Sequence, residues 1–165
     1  MNIAVGSDHG GFALKSEIVR YLIDAGHEVN DVGCVSEDSV DYPDFAERVC
    51  SAVMAGQSAR GILICGTGIG MAMAANRHRP IRAALCHEAF TARMSRAHND
   101  ANVLCLGGRV LGSALALDIV RVWLETEFAG GRHLRDGRQR ERQHDGGHHH
   151  DRASAGLHAC APCSA

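Results

Sequence analysis

The sequence predicts an α/β protein, a Rossmann-like three-layer sandwich in which helices cover both faces of a five-stranded, mostly parallel sheet. Two observations predict this fold. Short apolar runs alternate with longer amphipathic segments from residue 1 to about residue 124, which is the pattern of repeated β-α units. The chain of 165 residues is also long enough for one domain with its own core and too short for two ordinary domains.

The first β-α unit begins close to the N-terminus. Residues 3–5 form an apolar run typical of a strand, Gly10 and Gly11 make a turn, and residues 12–25 have helical periodicity. Gly26 ends this helix. The side chains on the apolar side of the helix are Leu14, Ile18, Tyr21 and Leu22.

The next elements continue the same alternation. Residues 28–32 predict a strand and residues 44–55 a helix. Residues 62–64 are wholly apolar, as in a strand buried on both faces, and a glycine-rich loop joins them to a helix over residues 71–76. The inward side chains of the helix over 44–55 are Phe45, Val49, Ala52 and Val53.

Two more strands and two more helices complete the predicted sheet. The strands cover residues 83–86 and 103–106, and the helices cover residues 89–96 and 113–126. Sheets of this kind bind ligands at the carboxyl ends of their strands, so we expect every loop with chemically active side chains to lie at that edge. The last helix is expected to direct Leu115, Ile119, Val122 and Trp123 inward.

Composition argues against two classes of partner. Aromatic residues make up only 4% of the chain and the formal net charge is −2, which leaves neither stacking platforms nor a positive field for nucleic acid. No segment approaches the run of about 18 apolar residues that spans a bilayer, and the N-terminus begins with a strand rather than a signal peptide. We therefore expect a cytoplasmic protein that binds neither nucleic acid nor a membrane.

The cysteines predict free thiols rather than disulfide bonds. Their number, seven, is odd, and most of them lie in or beside apolar segments, where a buried thiol behaves as a small hydrophobic group. The cysteines in such segments are Cys34, Cys50, Cys65, Cys86 and Cys105.

The character of the chain changes after about residue 140. This change divides the chain into a domain over residues 1–140 and a polar tail over residues 141–165, which we expect to be disordered. Histidines 148–150 with Cys160 and Cys163 offer donors for Zn²⁺ or Ni²⁺, but nothing around them could orient these ligands. We therefore predict an incidental chelator and no evolved metal site.

The strongest chemical signal is the segment Cys65-Gly66-Thr67-Gly68-Ile69-Gly70, which joins a buried strand to a helix. Its glycines allow backbone amides to converge on an anion, so the loop can hold a negatively charged oxygen. A dinucleotide-binding loop is the alternative, but the third glycine is misplaced for that motif. The amides and the helix start favour a thiolate at Cys65, which suits a base or a nucleophile; otherwise Cys65 is a small core residue.

Two pairs of polar residues flank other predicted strands. Asp8 and His9 follow the first strand, at the same edge as Cys65, and can share proton transfer and phosphate binding. His98 and Asn99 precede the fifth strand and supply a second imidazole beside an amide. The alternatives are an Asp8 that only caps a turn and a surface loop around His98.

Two arginines follow glycine pairs. Arg109 comes after the glycines at the end of the fifth strand, and Arg132 comes after the glycines that follow the last helix. A guanidinium beside a bare backbone suits bidentate binding of phosphate, whereas the alternative is a solvated arginine next to a helix-capping glycine.

Taken together, eight motifs closely resemble the ribose-5-phosphate isomerase type B family, over about residues 1–135. The motifs are Gly6-Ser7-Asp8-His9-Gly10-Gly11, Asp41-Tyr42-Pro43, residues 61–70 (GILICGTGIG), Ala74-Ala75-Asn76, Arg82-Ala83-Ala84, residues 98–104 (HNDANVL), Gly108-Arg109 and Gly130-Gly131-Arg132-His133.

The resemblance implies a Rossmann-like aldose-ketose isomerase that needs no metal or cofactor. It implies a homodimer or a tetramer with sites shared between subunits. The implied substrate is a sugar phosphate, with ribose 5-phosphate converted to ribulose 5-phosphate through a cis-enediolate. Relatives in this family act on allose 6-phosphate or galactose 6-phosphate.

The resemblance also implies roles for individual residues. Cys65 would move the proton between C2 and C1, and Thr67 would assist proton movement between the oxygens. Asp8 and His98 would open the sugar ring, with His98 supplied by the neighbouring subunit. The amides that stabilise the enediolate would come from Gly66, Gly68, Ile69 and Gly70. Asn99 would bind a sugar oxygen. The ligands of the phosphate would be His9, Arg109 and Arg132.

Three differences from the family pattern stand out. A second branch of the family uses a Glu as base near the end of the glycine loop, where this chain has Met71, so Cys65 carries that role. The family usually has a further phosphate-binding arginine where this chain has Asp136, which leaves Arg135 or Arg138 as substitutes. The family also ends in a short helix on the partner subunit, whereas this chain continues into its polar tail.

Two alternative functions remain open from the sequence. One keeps the chemistry but changes the substrate to a hexose 6-phosphate. The other is a non-catalytic module that binds sugar phosphates, in which Cys65 serves only in packing.

Overall fold

The computed structural model describes residues 1–134 and shows a five-stranded sheet flanked by five helices, as the sequence predicts. The predicted tail over 141–165, the predicted boundary at residue 140, and Arg135, Asp136 and Arg138 lie outside the described residues. The strands are β1 (Asn2–Ser7), β2 (Glu28–Asp31), β3 (Arg60–Cys65), β4 (Ala83–Leu85) and β5 (Val103–Gly107). The helices are α1 (Phe12–Asp24), α2 (Tyr42–Met54), α3 (Ile69–Ala75), α4 (Ala89–Ala97) and α5 (Ser113–Glu125).

The strands pair in the order β2-β1-β3-β5-β4, and every pair is parallel. Val5 lies opposite Ile62 and Ile62 lies opposite Leu104, so the three longest strands form the centre of the sheet. From β1 the chain moves outward to β2 and then returns to β3 on the other side. The topological switch point therefore lies between β1 and β3, where open sheets of this class bind their ligands.

Two apolar clusters pack against the two faces of the sheet. One contains the inward side chains of α1 and α5, among them Ile18 and Trp123, and the other contains those of α2 and α3, among them Val49 and Met71. This division explains why the central strands are apolar on both faces rather than alternating.

One predicted core position in α5 is wrong. Leu115 has 43% of its surface exposed, whereas Ile119, Val122 and Trp123 are buried as predicted. The buried face of α5 begins at Ala116, since residues 116, 119, 120 and 123 follow the three-to-four-residue spacing of one helical side. Leu115 lies one position outside this face.

The five cysteines in the described part of the chain are free and buried. Burial and the nearby Glu47 carboxylate raise the pKa of Cys50 to about 11. Burial also raises the pKa of Cys86, and it raises the pKa of Cys105 well above the ordinary value. These three thiols therefore remain protonated at neutral pH.

Residues 1–134 contain neither a candidate membrane span nor a candidate metal-binding cluster. None of the helices there combines the length and the apolar character that crossing a membrane requires. No group of three His, Cys, Asp or Glu side chains in the same range converges in a way that could hold a metal ion. The histidines and cysteines of the predicted tail chelator lie outside the described residues.

Candidate active site

Three neighbouring strands end at one edge of the sheet with the residues that the sequence singled out. Asp8 and His9 follow β1, residues 65–70 include the end of β3 and its loop, and Arg109 follows β5. Because β1, β3 and β5 are adjacent and parallel, these residues lie side by side at the carboxyl edge. The edge includes the switch point between β1 and β3.

Backbone hydrogen bonds hold the three loops together. The amide of Asp8 donates to the carbonyl of Ile64 at 3.2 Å, and the amide of Gly108 donates to the carbonyl of Cys65 at 2.8 Å. The amide of Arg109 donates to the carbonyl of Gly66 at 3.0 Å. These bonds continue the strand pairing beyond the strand ends, so the site is built on the rigid centre of the sheet.

Cys65 lies at the start of the glycine loop and is 5% exposed. The backbone amide of Gly68 donates a hydrogen bond to the Cys65 sulfur at 3.1 Å. The loop therefore places a backbone hydrogen-bond donor on the sulfur that the sequence singled out.

Gly68 has a conformation that the loop needs and that other residues rarely adopt. Its φ is +79°, in the left-handed region. A Cβ at this position would lie 2.5 Å from Leu85 Cδ1 and 2.9 Å from the carbonyl carbon of Leu106. Only glycine allows this turn, which directs the Gly68 amide toward the sulfur.

Some amides of the loop already donate a hydrogen bond, and others have no acceptor within residues 1–134. The amide of Ile69 donates to Thr67 Oγ1 at 3.3 Å, and the amide of Gly68 is engaged by Cys65. Within residues 1–134, the amides of Gly66, Thr67 and Gly70 meet no acceptor. The free donors for a negatively charged oxygen are therefore the amides of Gly66, Thr67 and Gly70. Gly66 and Gly70 belong to the predicted set, whereas the predicted amides of Gly68 and Ile69 donate within the loop.

A cavity of about 290 Å³ lies beside the glycine loop. It is lined by His9, Gly10, Ala13, Glu37 and Arg109. The Arg109 side chain runs along Gly66, since its Cδ lies 3.5 Å from where a Gly66 Cβ would be. His9 Nδ1 accepts a hydrogen bond from the Val40 amide at 3.2 Å, which leaves the proton of the neutral ring on Nε2. The cavity therefore combines a guanidinium and an imidazole donor, which suits a phosphate group.

Sequence reasoning missed Glu37, which contributes a carboxylate to this cavity. The residue lies in the loop between β2 and α2, and that loop has no periodic pattern to indicate which side chains turn toward the site. The one available signal is position: a loop that follows β2 begins at the same edge as Asp8 and His9, because β2 pairs with β1. A carboxylate here lowers the affinity of the cavity for anions.

We expect Glu37→Gln to tighten the binding of inorganic phosphate by roughly two- to five-fold, the usual range for one exposed charge. The reason is that the variant removes a negative charge from the cavity wall without changing its shape. Isothermal titration at low and high salt measures the change, which should shrink as salt screens the charge.

Asp38→Asn is the matched control for this variant. Asp38 is the next residue, carries the same charge and accepts a hydrogen bond from Ser36 Oγ at 2.9 Å, but it does not line the cavity. Equal effects of the two substitutions would show that Glu37 acts only through the overall charge of the loop.

Asp8 caps a turn with one of its two carboxylate oxygens. Its Oδ1 accepts a hydrogen bond from the Gly11 amide at 3.1 Å and so caps the 3₁₀ turn His9–Gly11. Its Oδ2 has no hydrogen bond within residues 1–134, and the side chain is 8% exposed. One carboxylate oxygen therefore fixes the loop while the other remains available.

The expectation that every chemically active loop lies at the carboxyl edge is wrong for His98, Asn99 and Arg132. His98 caps the end of α4 and Asn99 follows it, so both precede β5 and lie at its amino end. Arg132 follows α5, which runs back to the same end. Because β5 has five residues, the two edges are about 17 Å apart, and within one chain these side chains lie away from Cys65.

His98 and Arg132 nevertheless form a group with His133. The imidazole of His98 stacks on that of His133, with ring centroids 4.3 Å apart and an angle of 13° between the planes. The Nε of Arg132 lies 3.4 Å from Nε2 of His133. We call His98, Arg132 and His133 the amino-edge cluster.

Other residues of the recognised motifs stabilise the same edge. Asp100 has a φ of +47° and binds the guanidinium groups of Arg82, at 3.0 Å, and of Arg96, at 2.7 Å. Asn102 accepts from the Arg82 amide at 2.7 Å, and Asn76 bonds to both the amide and the carbonyl of Ala83. These polar residues therefore fix the loops that precede β4 and β5.

Residues 3–139 match the model of a protein family described as Ribose/Galactose Isomerase. Ribose-5-phosphate isomerase B of Escherichia coli (strain K12) is 51% identical over 131 residues, which cover 79% of this chain and 88% of that protein. D-erythrulose-4-phosphate isomerase of Pectobacterium atrosepticum is 43% identical over 133 residues, which cover 79% and 87%. The solved structure of Clostridium thermocellum ribose-5-phosphate isomerase B superposes with a TM-score of 0.86 at 52% identity and covers 88% of this chain and 98% of that one.

Proposed function

Because the chain belongs to the ribose/galactose isomerase family, we propose that it interconverts ribose 5-phosphate and ribulose 5-phosphate with Cys65 as the base. It is an aldose-ketose isomerase. The observation that carries the assignment of the base is the hydrogen bond from the Gly68 amide to the Cys65 sulfur. The loop that follows Cys65 carries three amides that have no acceptor within residues 1–134.

The proton transfer needs only the chain's own groups. The Cys65 thiolate removes the proton from C2 of the open-chain aldose. The electron pair of the C–H bond forms the double bond between C1 and C2, and the π electrons of the C1 carbonyl move to its oxygen. The resulting enediolate oxygen is stabilised by the free amides of Gly66, Thr67 and Gly70. The thiol then returns the proton to C1, while the Thr67 hydroxyl assists the transfer between the two oxygens.

The phosphate of the substrate is proposed to occupy the cavity lined by His9 and Arg109. The Nε2 proton of His9 and the guanidinium of Arg109 are donors that match phosphate oxygens. Because Arg109 runs along Gly66, a sugar whose phosphate is held there can extend toward Cys65. The cavity thereby fixes the distance between the phosphate and the reacting carbons.

Ring opening is proposed to use Asp8 together with His98 of the partner subunit. In a single chain His98 is at the opposite edge of the sheet from Asp8, so a homodimer that joins the two edges supplies the missing groups. Asn99 and Arg132 of the partner subunit would then bind a sugar oxygen and the phosphate. Apolar surface near the glycine loop supports such an interface, since Ile69 and Met73 of α3 are 52% and 65% exposed.

The proposed mechanism uses no metal or cofactor, since each of its steps moves a proton between the sugar and protein side chains. It does require a reduced thiol. We therefore also propose a cytoplasmic location, where thiols remain reduced, and the five free cysteines of residues 1–134 are in keeping with it.

A coupled assay with chelator present tests this function. We expect kcat/KM to be highest for ribose 5-phosphate, lower for D-erythrulose 4-phosphate, allose 6-phosphate and galactose 6-phosphate, and unchanged by EDTA. Faster conversion of a hexose 6-phosphate would favour the alternative substrate. Binding of ribose 5-phosphate without any turnover would favour the non-catalytic module.

A further inference from the structure

The last described residues fold back onto the end of α4. The amide of Ala129 donates to the carbonyl of Ala97 at 2.9 Å, and the amide of His133 donates to the carbonyl of Gly130 at 3.1 Å. Gly130 and Gly131 have φ values of +64° and +58°, two consecutive left-handed residues that only glycine adopts readily. This turn brings the residues that follow it next to His98.

His133 touches both functional members of the amino-edge cluster. Its ring lies nearly flat against the ring of His98, and its Nε2 is the acceptor that faces Arg132 Nε at 3.4 Å. Because Nε2 accepts this hydrogen bond, the neutral ring carries its proton on Nδ1. His133 therefore contacts both the imidazole of His98 and the guanidinium of Arg132.

We propose that His133 is a positioning residue, which holds His98 and Arg132 in a fixed mutual arrangement before the site is completed. This inference rests on the proposed function, in which His98 opens the sugar ring and Arg132 binds the phosphate. The stack restricts the plane of the His98 imidazole, and the hydrogen bond restricts the guanidinium of Arg132.

Both groups need such restraint. His98 is half-buried at the end of α4 and its backbone amide donates to the Met94 carbonyl, but that bond does not fix its ring. Arg132 is exposed, and a free arginine side chain loses rotamer entropy when it is immobilised. A side chain that orders both groups in advance lowers the cost of ordering them when the substrate binds.

Two substitutions of His133 separate its two contacts. His133→Phe keeps a flat ring against His98 but removes the acceptor for Arg132. We expect it to raise both KM for ribose 5-phosphate and the inhibition constant of inorganic phosphate by roughly three- to ten-fold, the usual range for one hydrogen bond. We expect kcat to stay within about a factor of two of the wild-type value. His133→Gln keeps an acceptor but removes the ring, and we expect kcat to fall roughly ten-fold with little change in phosphate inhibition.

Steady-state kinetics of both variants and of wild type test the proposal, with the fluorescence of the single Trp123 as a measure of folding. His78→Phe is the matched control, since His78 pairs with Glu47 at 3.0 Å outside the cluster and should be replaced without either effect. Parallel changes of kcat and KM in both variants, or no change in either, would overturn the positioning role. Absence of turnover in wild type would instead reject the proposed function on which it rests.

Discussion

Cys65→Ala is expected to lower kcat for ribose 5-phosphate by roughly 10²- to 10⁴-fold, the usual contribution of one acid-base group. The substitution removes the only atom proposed to carry the proton between C2 and C1. The cavity lined by His9 and Arg109 is untouched, so KM should change little. Stopped and continuous coupled assays, with ribulose 5-phosphate as the detected product, measure the loss.

Cys50→Ala is the matched control for this prediction. Cys50 is also a buried cysteine, and the same burial and Glu47 that raise its pKa to about 11 keep it protonated at neutral pH. We expect this variant to lose some stability but to retain wild-type kcat. Undiminished isomerisation by a folded Cys65→Ala protein would reject Cys65 as the base and leave it a packing residue.

The order of strands and helices could be predicted because the apolar runs are short and the amphipathic segments are long. Strand ends were less predictable, since pairing overrides local preference. β1 continues to Ser7 because Gly6 and Ser7 pair with Leu63 and Ile64, although neither residue favours a strand by itself. The predicted strand ended at residue 5 for that reason.

Two helices begin earlier than predicted because of the loops before them. α3 begins at Ile69, two residues before the predicted start, because the left-handed Gly68 ends the loop and lets the helix begin at once. α2 begins at Tyr42, since Pro43 is well suited to the first turn of a helix. Periodicity alone detects the apolar face of a helix but not these first residues.

The placement of candidate residues that directly follow a strand could be predicted, because the end of a parallel strand fixes the edge at which its loop lies. Asp8, His9 and Arg109 illustrate this case. The edge of His98 and Arg132 was predicted wrongly, since both lie between a helix and the amino end of the sheet. The sequence alone also cannot indicate the contact between His98 and His133, because it depends on how the chain folds back after α5.

The role of the glycines was only partly predictable. The number of glycines beside Cys65 indicates an anion-binding loop, but other glycines at the same edge allow close packing between loops. A Cβ on Gly11 would lie 2.6 Å from the Ile64 carbonyl oxygen, and one on Gly107 would lie 2.8 Å from that of Thr67. Such contacts arise between segments that are distant in the sequence, so no local pattern reveals them.

Cys65 of one chain and His98 of the partner subunit are proposed to form a single isomerase site. Cys65→Ala and His98→Ala should each be nearly inactive as homodimers. A mixed dimer has one site that lacks both groups and one site that retains both. Co-expression of the two variants with different affinity tags allows the mixed dimer to be purified.

The specific activity of that mixed dimer is the most direct measurement. Shared sites predict about half of the wild-type activity, because one of the two symmetry-related sites is intact. If Cys65 and His98 instead act within the same chain, each site of the mixed dimer lacks one group. Activity no higher than that of the two parent variants would therefore contradict the shared site.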